Sequence, residues 1–267
     1  MPQKLVGIAC PICGSISTKN TTLFSRCPNC QSFIRKNPDI NELSERYQTS
    51  WDNPKAHLLE TGATEQHLAK KYVKNLCQEI QLTDLANLKI LDYGAGRGEL
   101  TKELLLLQVD TYAYEPFGHK YLRDAGIKVF KSLDEISVTN YFDIIINIDV
   151  IEHVINPLET LDFIKTRLKP EGYLYTATPN CRSLNAIITG DEWREAQNPG
   201  HLCLFSSKGM GLALENVGFI NIKRLNWIID YSPRLGKRIG NWMLTNLKLD
   251  GELRYICQKS MVNNHNL

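Results

Sequence analysis

The sequence predicts an α/β fold, a mostly parallel sheet flanked by helices, with a small metal-binding module ahead of it. Three observations carry this. Short apolar runs alternate with helical periodicity from residue 88 onward. A glycine-rich turn, LDYGAGRGEL at 91–100, joins the first of those runs to a helix. Two Cys-x-x-Cys pairs fall within the first thirty residues.

At 267 residues the chain can bury one full α/β core and still carry an appendage. Hydrophobic content of 43% and charged content of 22% are those of an ordinary globular protein. With 31 basic against 29 acidic residues there is no general attraction for a polyanion, so nucleic acid is not the expected partner. The longest apolar run, FDIIINIDVI, is interrupted by Asn147 and Asp149 and is too short to span a membrane. The start, MPQKLVGIACPIC, lacks the apolar core of a signal peptide. These readings predict a cytoplasmic protein without membrane insertion, in which thiols stay reduced.

In such a compartment Cys10-Pro-Ile-Cys13 and Cys27-Pro-Asn-Cys30, thirteen residues apart, predict a metal site instead of disulfides. Each pair can wrap a knuckle around a tetrahedral ion, and four thiolates suit Zn²⁺. Four protein ligands leave no open position, so the expected zinc is structural. Gly14 stands where the first knuckle needs a permissive backbone. Cys77, Cys181, Cys203 and Cys257 are scattered and are expected to be buried thiols. The division expected is a zinc ribbon at 1–36, a partly ordered linker leading into a helical cap at 37–63, and an α/β domain at 64–267.

Residues 64–80 predict a helix, with Leu68, Tyr72, Val73, Leu76 and Ile80 on one face and Thr64 as its cap. Strands are predicted at 88–92, 109–114, 127–130, 142–148 and 172–178, with helices between them. The clearest helix is 157–168, where Leu158, Leu161, Ile164 and Leu168 recur at helical spacing. Strand alternating with helix means parallel pairing through right-handed crossovers. FSSKGMGLALENVGF then predicts a helix ending at Gly218, and FINIKRLNWII and ELRYICQ two further strands forming an antiparallel edge pair.

In open α/β sheets a ligand binds at the carboxyl ends of the strands. Gly94, Gly96 and Gly98 let the backbone approach it closely, and the helix that follows points its amides at it. The spacing is G-x-G-x-G, not the G-x-G-x-x-G of a dinucleotide turn. The next strand ends in Glu115, whose two carboxylate oxygens can accept from both hydroxyls of a ribose. The pair specifies an adenosine-type ligand and leaves NAD open.

On these residues the chain from about 60 onward resembles the class I S-adenosylmethionine-dependent methyltransferases, whose fold is a Rossmann-like seven-stranded sheet. Asp92 with the three glycines matches the family's first motif, Glu115 its second, and FDIIINIDVIEHVINP its fourth. Asp134, in Ser132-Leu133-Asp134, matches the third, which meets the adenine. TPN followed by HLCLFS is similar to the branch containing ubiquinone-type O-methyltransferases. A four-cysteine module before such a domain is similar to zinc-containing sugar C-methyltransferases, although their extra C-terminal domain has no counterpart here. The resemblance implies S-adenosylmethionine as cofactor, held by Asp92, Gly94, Gly96, Gly98, Glu115, Asp134 and Asp149, and a small-molecule methyl acceptor.

Methyl transfer from a sulfonium is an in-line displacement, often assisted by a base. Asp149, Glu152 and His153 follow the fourth strand, and His153 has the ordinary pKa nearest neutrality. Its structural alternative is to brace the following helix together with Glu152. The segment 183–205 is too long for a plain connection and is expected to cover the acceptor as a lid. His201, within it, is the second candidate base. Tyr112, Trp193 and Trp227 are expected to pack. Two other classes stay open. One is an rRNA or tRNA base methyltransferase gripping RNA through Arg26, Phe33, Arg35, Lys36 and the basic PRLGKRIGNWM. The other is a zinc-ribbon docking protein with a degenerate cofactor fold.

Overall fold

The computed structural model describes residues 8–17, 19–52, 62–81, 85, 87–226 and 235–261. In chain order the N-terminal module carries β1 (Ile8–Ala9), β2 (Ile16–Ser17), β3 (Lys19–Asn20), β4 (Phe24–Arg26) and β5 (Phe33–Arg35). Helices α1 (Ile40–Asp52) and α2 (Gly62–Glu79) follow. The α/β part comprises β6 (Lys89–Tyr93), α3 (Glu99–Leu106), β7 (Asp110–Tyr114), α4 (His119–Asp124), β8 (Val129–Phe130), β9 (Phe142–Ile148), α5 (Pro157–Arg167) and β10 (Leu168–Pro179). The remainder comprises α6 (Leu184–Thr189), α7 (Arg194–Gln197), β11 (Cys203–Leu204), α8 (Ser207–Val217), β12 (Phe219–Arg224), α9 (Leu235–Asn246) and β13 (Glu252–Lys259).

The central sheet has seven strands in the order β12-β13-β10-β9-β6-β7-β8, and β6 runs parallel to both β7 and β9. The last two strands pair antiparallel at one edge, as the sequence predicts. The central strands read as nearly continuous apolar runs because both faces are covered: Ile144, Ile145 and Ile146 are all buried. Helix α8 ends as its sequence implies, with Gly218 left-handed at φ 84 after Val217. Among the described residues no helix is long and apolar enough to cross a membrane.

Several expectations change in detail. The polar stretch read as a partly ordered linker forms α1 over Ile40–Asp52, capped by Asp39 Oδ1, which accepts from the amides of Asn41 and Glu42. Helix α2 starts at Gly62, which puts Thr64 inside its first turn and not at its cap. Cys181, Cys203 and Cys257 are buried, whereas Cys77, on α2, is half-buried. Tyr112 packs as expected, stacked on Phe130 with centroids 6.0 Å apart. The side chain of Leu68, Trp227, and most side chains of PRLGKRIGNWM lie outside the described residues.

The chain divides into two compact units. One holds 1–38, 149–165 and 176–260; the other holds 39–148, 166–175 and 261–267. In the first, the sheet of the N-terminal module runs β11-β5-β4-β3, so a strand from far along the chain completes it. Cys203 pairs with Ile34 and Leu204 with Phe33. Phe24, Cys181, Ala186, Trp193, Ala196 and Leu204 form one core there. Burying Phe24 alone is worth about 1.5–3 kcal/mol. In the second unit Ala113, Leu122 and Ile127 form the core beneath the glycine turn.

Candidate functional site

The candidate cofactor turn lies wholly in the second unit. Gly94, Gly96 and Gly98 all have positive φ, at 84°, 53° and 76°. A Cβ at Gly96 would meet nothing within 4 Å among the described residues, so the turn presents open space to them there; one at Gly98 would strike Leu122 Cδ2 at 2.7 Å. Ligand approach and helix packing thus require glycine at different points of one turn. Asp92 is buried at the end of β6 and accepts a 2.6 Å hydrogen bond from Thr101 Oγ1, tying strand to helix. Burial pushes its carboxyl up to about 6 against the help of Thr101, with Glu115 and Glu99 adding repulsion.

Glu115 is also buried, at the end of β7. Its Oε2 accepts from Gly96 N at 3.0 Å, and its Oε1 from Phe117 N and Gly118 N at 3.0 and 3.1 Å. Three of roughly four acceptor positions are therefore occupied by backbone, so this carboxylate shapes the loop as well as offering a position for a ribose hydroxyl. Above that loop, α1 sets Tyr47 on Phe117 (5.4 Å, stacked) and Trp51 beside Tyr121 (6.2 Å) and Arg97 (5.8 Å). The linear pattern of α1 hid these residues, because the helix buries none of its own side chains fully. Asp134 is exposed, on a 3-10 turn over Leu133–Glu135.

The other candidate residues gather in the first unit, around a cavity of about 650 Å³. Asp149, Glu152, His153 and His201 line it with Trp193, Glu195 and Glu252. Asp149, expected among the cofactor residues, is placed here. It adopts φ 52°, a left-handed conformation that aspartate tolerates better than most residues. It faces the cavity's solvent on one side, while crowding by protein, with Glu252 and Glu195, pushes its carboxyl up to about 7. Glu152 is fully buried on a 3-10 turn, Ile151–His153. Its Oε2 accepts from Thr178 Oγ1 at 2.8 Å, and its Oε1 has no hydrogen-bond partner among the described residues. Burial and the Asp149 charge hold its pKa well above the carboxylate range.

The two histidines are oriented by backbone. His153 Nδ1 lies 2.8 Å from the Gly200 carbonyl, so the proton sits on Nδ1 and the lone pair on Nε2. His201 Nδ1 donates in the same way to the Glu195 carbonyl, while its Nε2 accepts from Asn198 Nδ2 at 3.1 Å. Burial lowers the pKa of His153; burial and the neighbouring His153 push that of His201 down to about 3. Both are neutral imidazoles at neutral pH. Ligand atoms of Glu152, His153 and His201 lie within 4.8 Å of one another, an open His₂-carboxylate set able to hold a divalent cation. Trp193 is buried as expected but also forms part of the cavity wall.

The four cysteines are a second candidate centre. Their sulfurs lie within 4.8 Å of one another, with Cys10 and Cys30 3.5 Å apart and Cys13 and Cys27 3.4 Å apart. These separations are far longer than a disulfide bond and close to the sulfur spacing of a tetrahedral Zn–S₄ site. The knuckles are equivalent: Gly14 N bonds Cys10 O and Gln31 N bonds Cys27 O, with both residues left-handed at φ 70° and 64°.

Comparison with known proteins adds to this geometry. The sequence profile of the methyltransferase-domain family matches residues 39–224. A ubiquinone biosynthesis O-methyltransferase of Cereibacter sphaeroides is 28% identical over 118 residues, 40% of this chain and 48% of that protein. The chain spans about half the length of the curated relatives it matches first. Among solved structures, Burkholderia thailandensis 1,6-didemethyltoxoflavin-N1-methyltransferase, with bound 1,6-didemethyltoxoflavin and S-adenosylhomocysteine, superposes with a TM-score of 0.55. It is 12% identical, covering 91% of this chain and 99% of that one. The [4+2]-cyclase SpnF superposes at 0.57 with 14% identity, covering 86% and 99%. At these identities the likeness establishes the fold alone, and a cyclase among the neighbours shows that the fold hosts more than one chemistry.

Proposed function

This chain belongs to the methyltransferase-domain family, and from that we propose that it transfers a methyl group from S-adenosylmethionine to a small-molecule acceptor held in the cavity lined by His153. The observation that carries the acceptor site is the convergence of Asp149, Glu152, His153 and His201 on one cavity of small-molecule size. In the other unit the open space at Gly96, with Asp92 and Glu115 around it, suits the cofactor's sugar and amino-acid parts. Asp134 is exposed in the same unit and serves the adenine in this reading.

When bound, the cofactor supplies an electrophilic methyl on a sulfonium. The chain's own work is to orient the acceptor and take its proton. His153 is the base in this reading, because its Nδ1–H is fixed on Gly200 and burial keeps the ring neutral at neutral pH. His201 has both ring nitrogens engaged and serves as an orienting residue. Burial and the Asp149 charge raise the Glu152 pKa well above its ordinary value, which favours its neutral form beside the acceptor. The names of the matched relatives favour an oxygen on a ring compound as acceptor, with a sugar or other biosynthetic intermediate as the wider class.

A second reading of the same cavity is favoured by the clustering of the three ligand atoms and by Glu152 Oε1, which has no partner among the described residues: Glu152, His153 and His201 hold a divalent cation that acidifies an acceptor hydroxyl. In the N-terminal module Cys10, Cys13, Cys27 and Cys30 hold a structural Zn²⁺. An RNA substrate is disfavoured because two of the candidate gripping side chains are used internally: Arg35 binds three backbone carbonyls, and the Phe33 ring packs against the core around Phe24.

One assay tests these readings. Release of S-adenosylhomocysteine is followed with panels of hydroxylated aromatics, sugars and amines, before and after chelation and with Mg²⁺ or Mn²⁺ restored. Turnover of an aromatic or sugar acceptor supports the methyltransferase reading, and its loss and recovery with metal supports the cation. Binding of neither S-adenosylmethionine nor S-adenosylhomocysteine in calorimetry would refute the cofactor assignment.

A further inference from the structure

The N-terminal module and the cavity share more than a chain. Arg35, the last residue of β5, sends its guanidinium into the segment 194–204: Nε donates to the His201 carbonyl at 2.8 Å, and Nη2 donates to the carbonyls of Ala196 and Asn198 at 2.7 Å each. Its backbone amide donates to Leu202 O at 2.9 Å, next to the β5–β11 pairing. The same guanidinium lies over the Phe24 ring, 4.5 Å from its centroid. The segment gripped in this way carries Asn198 and His201, both on the cavity wall, and Asn198 in turn holds His201 Nε2. Trp193 forms part of that wall and packs in one core with Phe24. Further along, Ser206 donates from its amide to Ser32 Oγ, and Gly209 lies so close to Ser32 that a Cβ there would come within 2.0 Å of the hydroxyl.

We propose that the four-cysteine module braces the wall of the acceptor site from behind, and that Arg35 is the positioning residue through which it fixes Asn198 and His201. The proposal rests on reading the cavity as the acceptor site. A planar fork with several donors can satisfy three converging carbonyls at once, which a single ammonium cannot do with the same geometry. Acceptor recognition then depends on the module, while cofactor binding, built from residues of the other unit, does not. Removing the module would strip the partners of Trp193 and Leu204 from their core, so point variants are the cleaner probe.

The test compares full-length wild type, Arg35→Lys and Arg35→Met. Hydrogen exchange is read by mass spectrometry over 194–204 and 89–115, and S-adenosylhomocysteine affinity by calorimetry. In both variants the amides of 194–204 should exchange roughly tenfold faster or more, while 89–115 stays protected and affinity stays within about twofold. For whichever acceptor of the panel is methylated, its KM should rise with the KM for S-adenosylmethionine unchanged. Unchanged exchange over 194–204 would overturn the proposal. So would Arg35→Lys behaving as wild type, since a lone charge would then suffice, or protection lost equally in both segments, since Arg35 would then be a general stabiliser. If nothing in the panel is methylated, the activity reading fails while the exchange data still decide this one.

Discussion

The rings of His153 and His201 meet edge to face, with centroids 4.6 Å apart and planes inclined at 66°. At that distance the two rings cannot comfortably carry charge together, and the backbone bonds to Gly200 and Glu195 fix the same tautomer in both. The Nε2 of His201 is engaged by Asn198 Nδ2, and His153 is the ring assigned the base role in the proposed function. His153→Ala should therefore lower turnover by about 10²–10⁴-fold and leave cofactor affinity unchanged. Burial depresses its pKa below the ordinary 6.5, so the required neutral ring is already dominant at that pH. The acid limb of kcat should lie below pH 6.5, with a plateau above; a limb above 6.5 would exclude His153 as the base.

Glu115 holds the loop after β7 through three amides and stands beside the glycine turn through one of them. Glu115→Ala leaves those donors without their partner, each loss costing about 1–3 kcal/mol where water cannot replace it. Calorimetry should show S-adenosylmethionine affinity reduced by at least roughly tenfold, with Glu115→Gln intermediate because it keeps one acceptor oxygen.

Gly118 tests the cover formed by α1. Its φ of −88° suits any residue, so backbone strain does not enter. A Cβ there, however, would come within 2.5 Å of the Trp51 ring. Gly118→Ala should displace Trp51 and the end of α1, read as a change in tryptophan emission and a faster exchange of amides 47–52. If α1 covers the cofactor, S-adenosylhomocysteine affinity falls with it; an unchanged affinity would confine α1 to packing.

How much of this was legible in the sequence depends on range. The strands, the glycine turn, Asp92, Glu115 and the four cysteines are written in local spacing, because a turn of given φ or a knuckle of two residues needs particular neighbours. The gathering of Glu152, His153 and His201 was legible as a list of candidates but not as a cluster, since it depends on the fold of 183–205. Arg35 could be read only as a basic residue of the module. Its carbonyl partners lie 161 to 166 residues away, and backbone acceptors carry no sequence signature. Tyr47 and Trp51 were hidden for a related reason: α1 is polar around most of its surface, and the rings that meet Phe117 and Tyr121 are isolated in its sequence.

Glu152→Gln separates the two readings of the cavity. The substitution is nearly isosteric, keeps an acceptor for Thr178, and places an amide where Oε1 has no partner among the described residues. Because burial raises the Glu152 pKa well above its unfolded value, ionisation of this side chain costs the fold stability as pH rises. The glutamine variant should therefore be at least as stable as wild type at pH 8, measured by thermal unfolding. Its activity then discriminates. If His153 acts as a simple base beside a protonated Glu152, the neutral amide should retain most turnover. If Glu152 ligates a cation, glutamine removes an anionic ligand, and metal-dependent activity should fall by roughly 10–100-fold or more while cofactor affinity stays unchanged. A stable variant with full activity, insensitive to chelation, would leave the carboxylate with a structural role only.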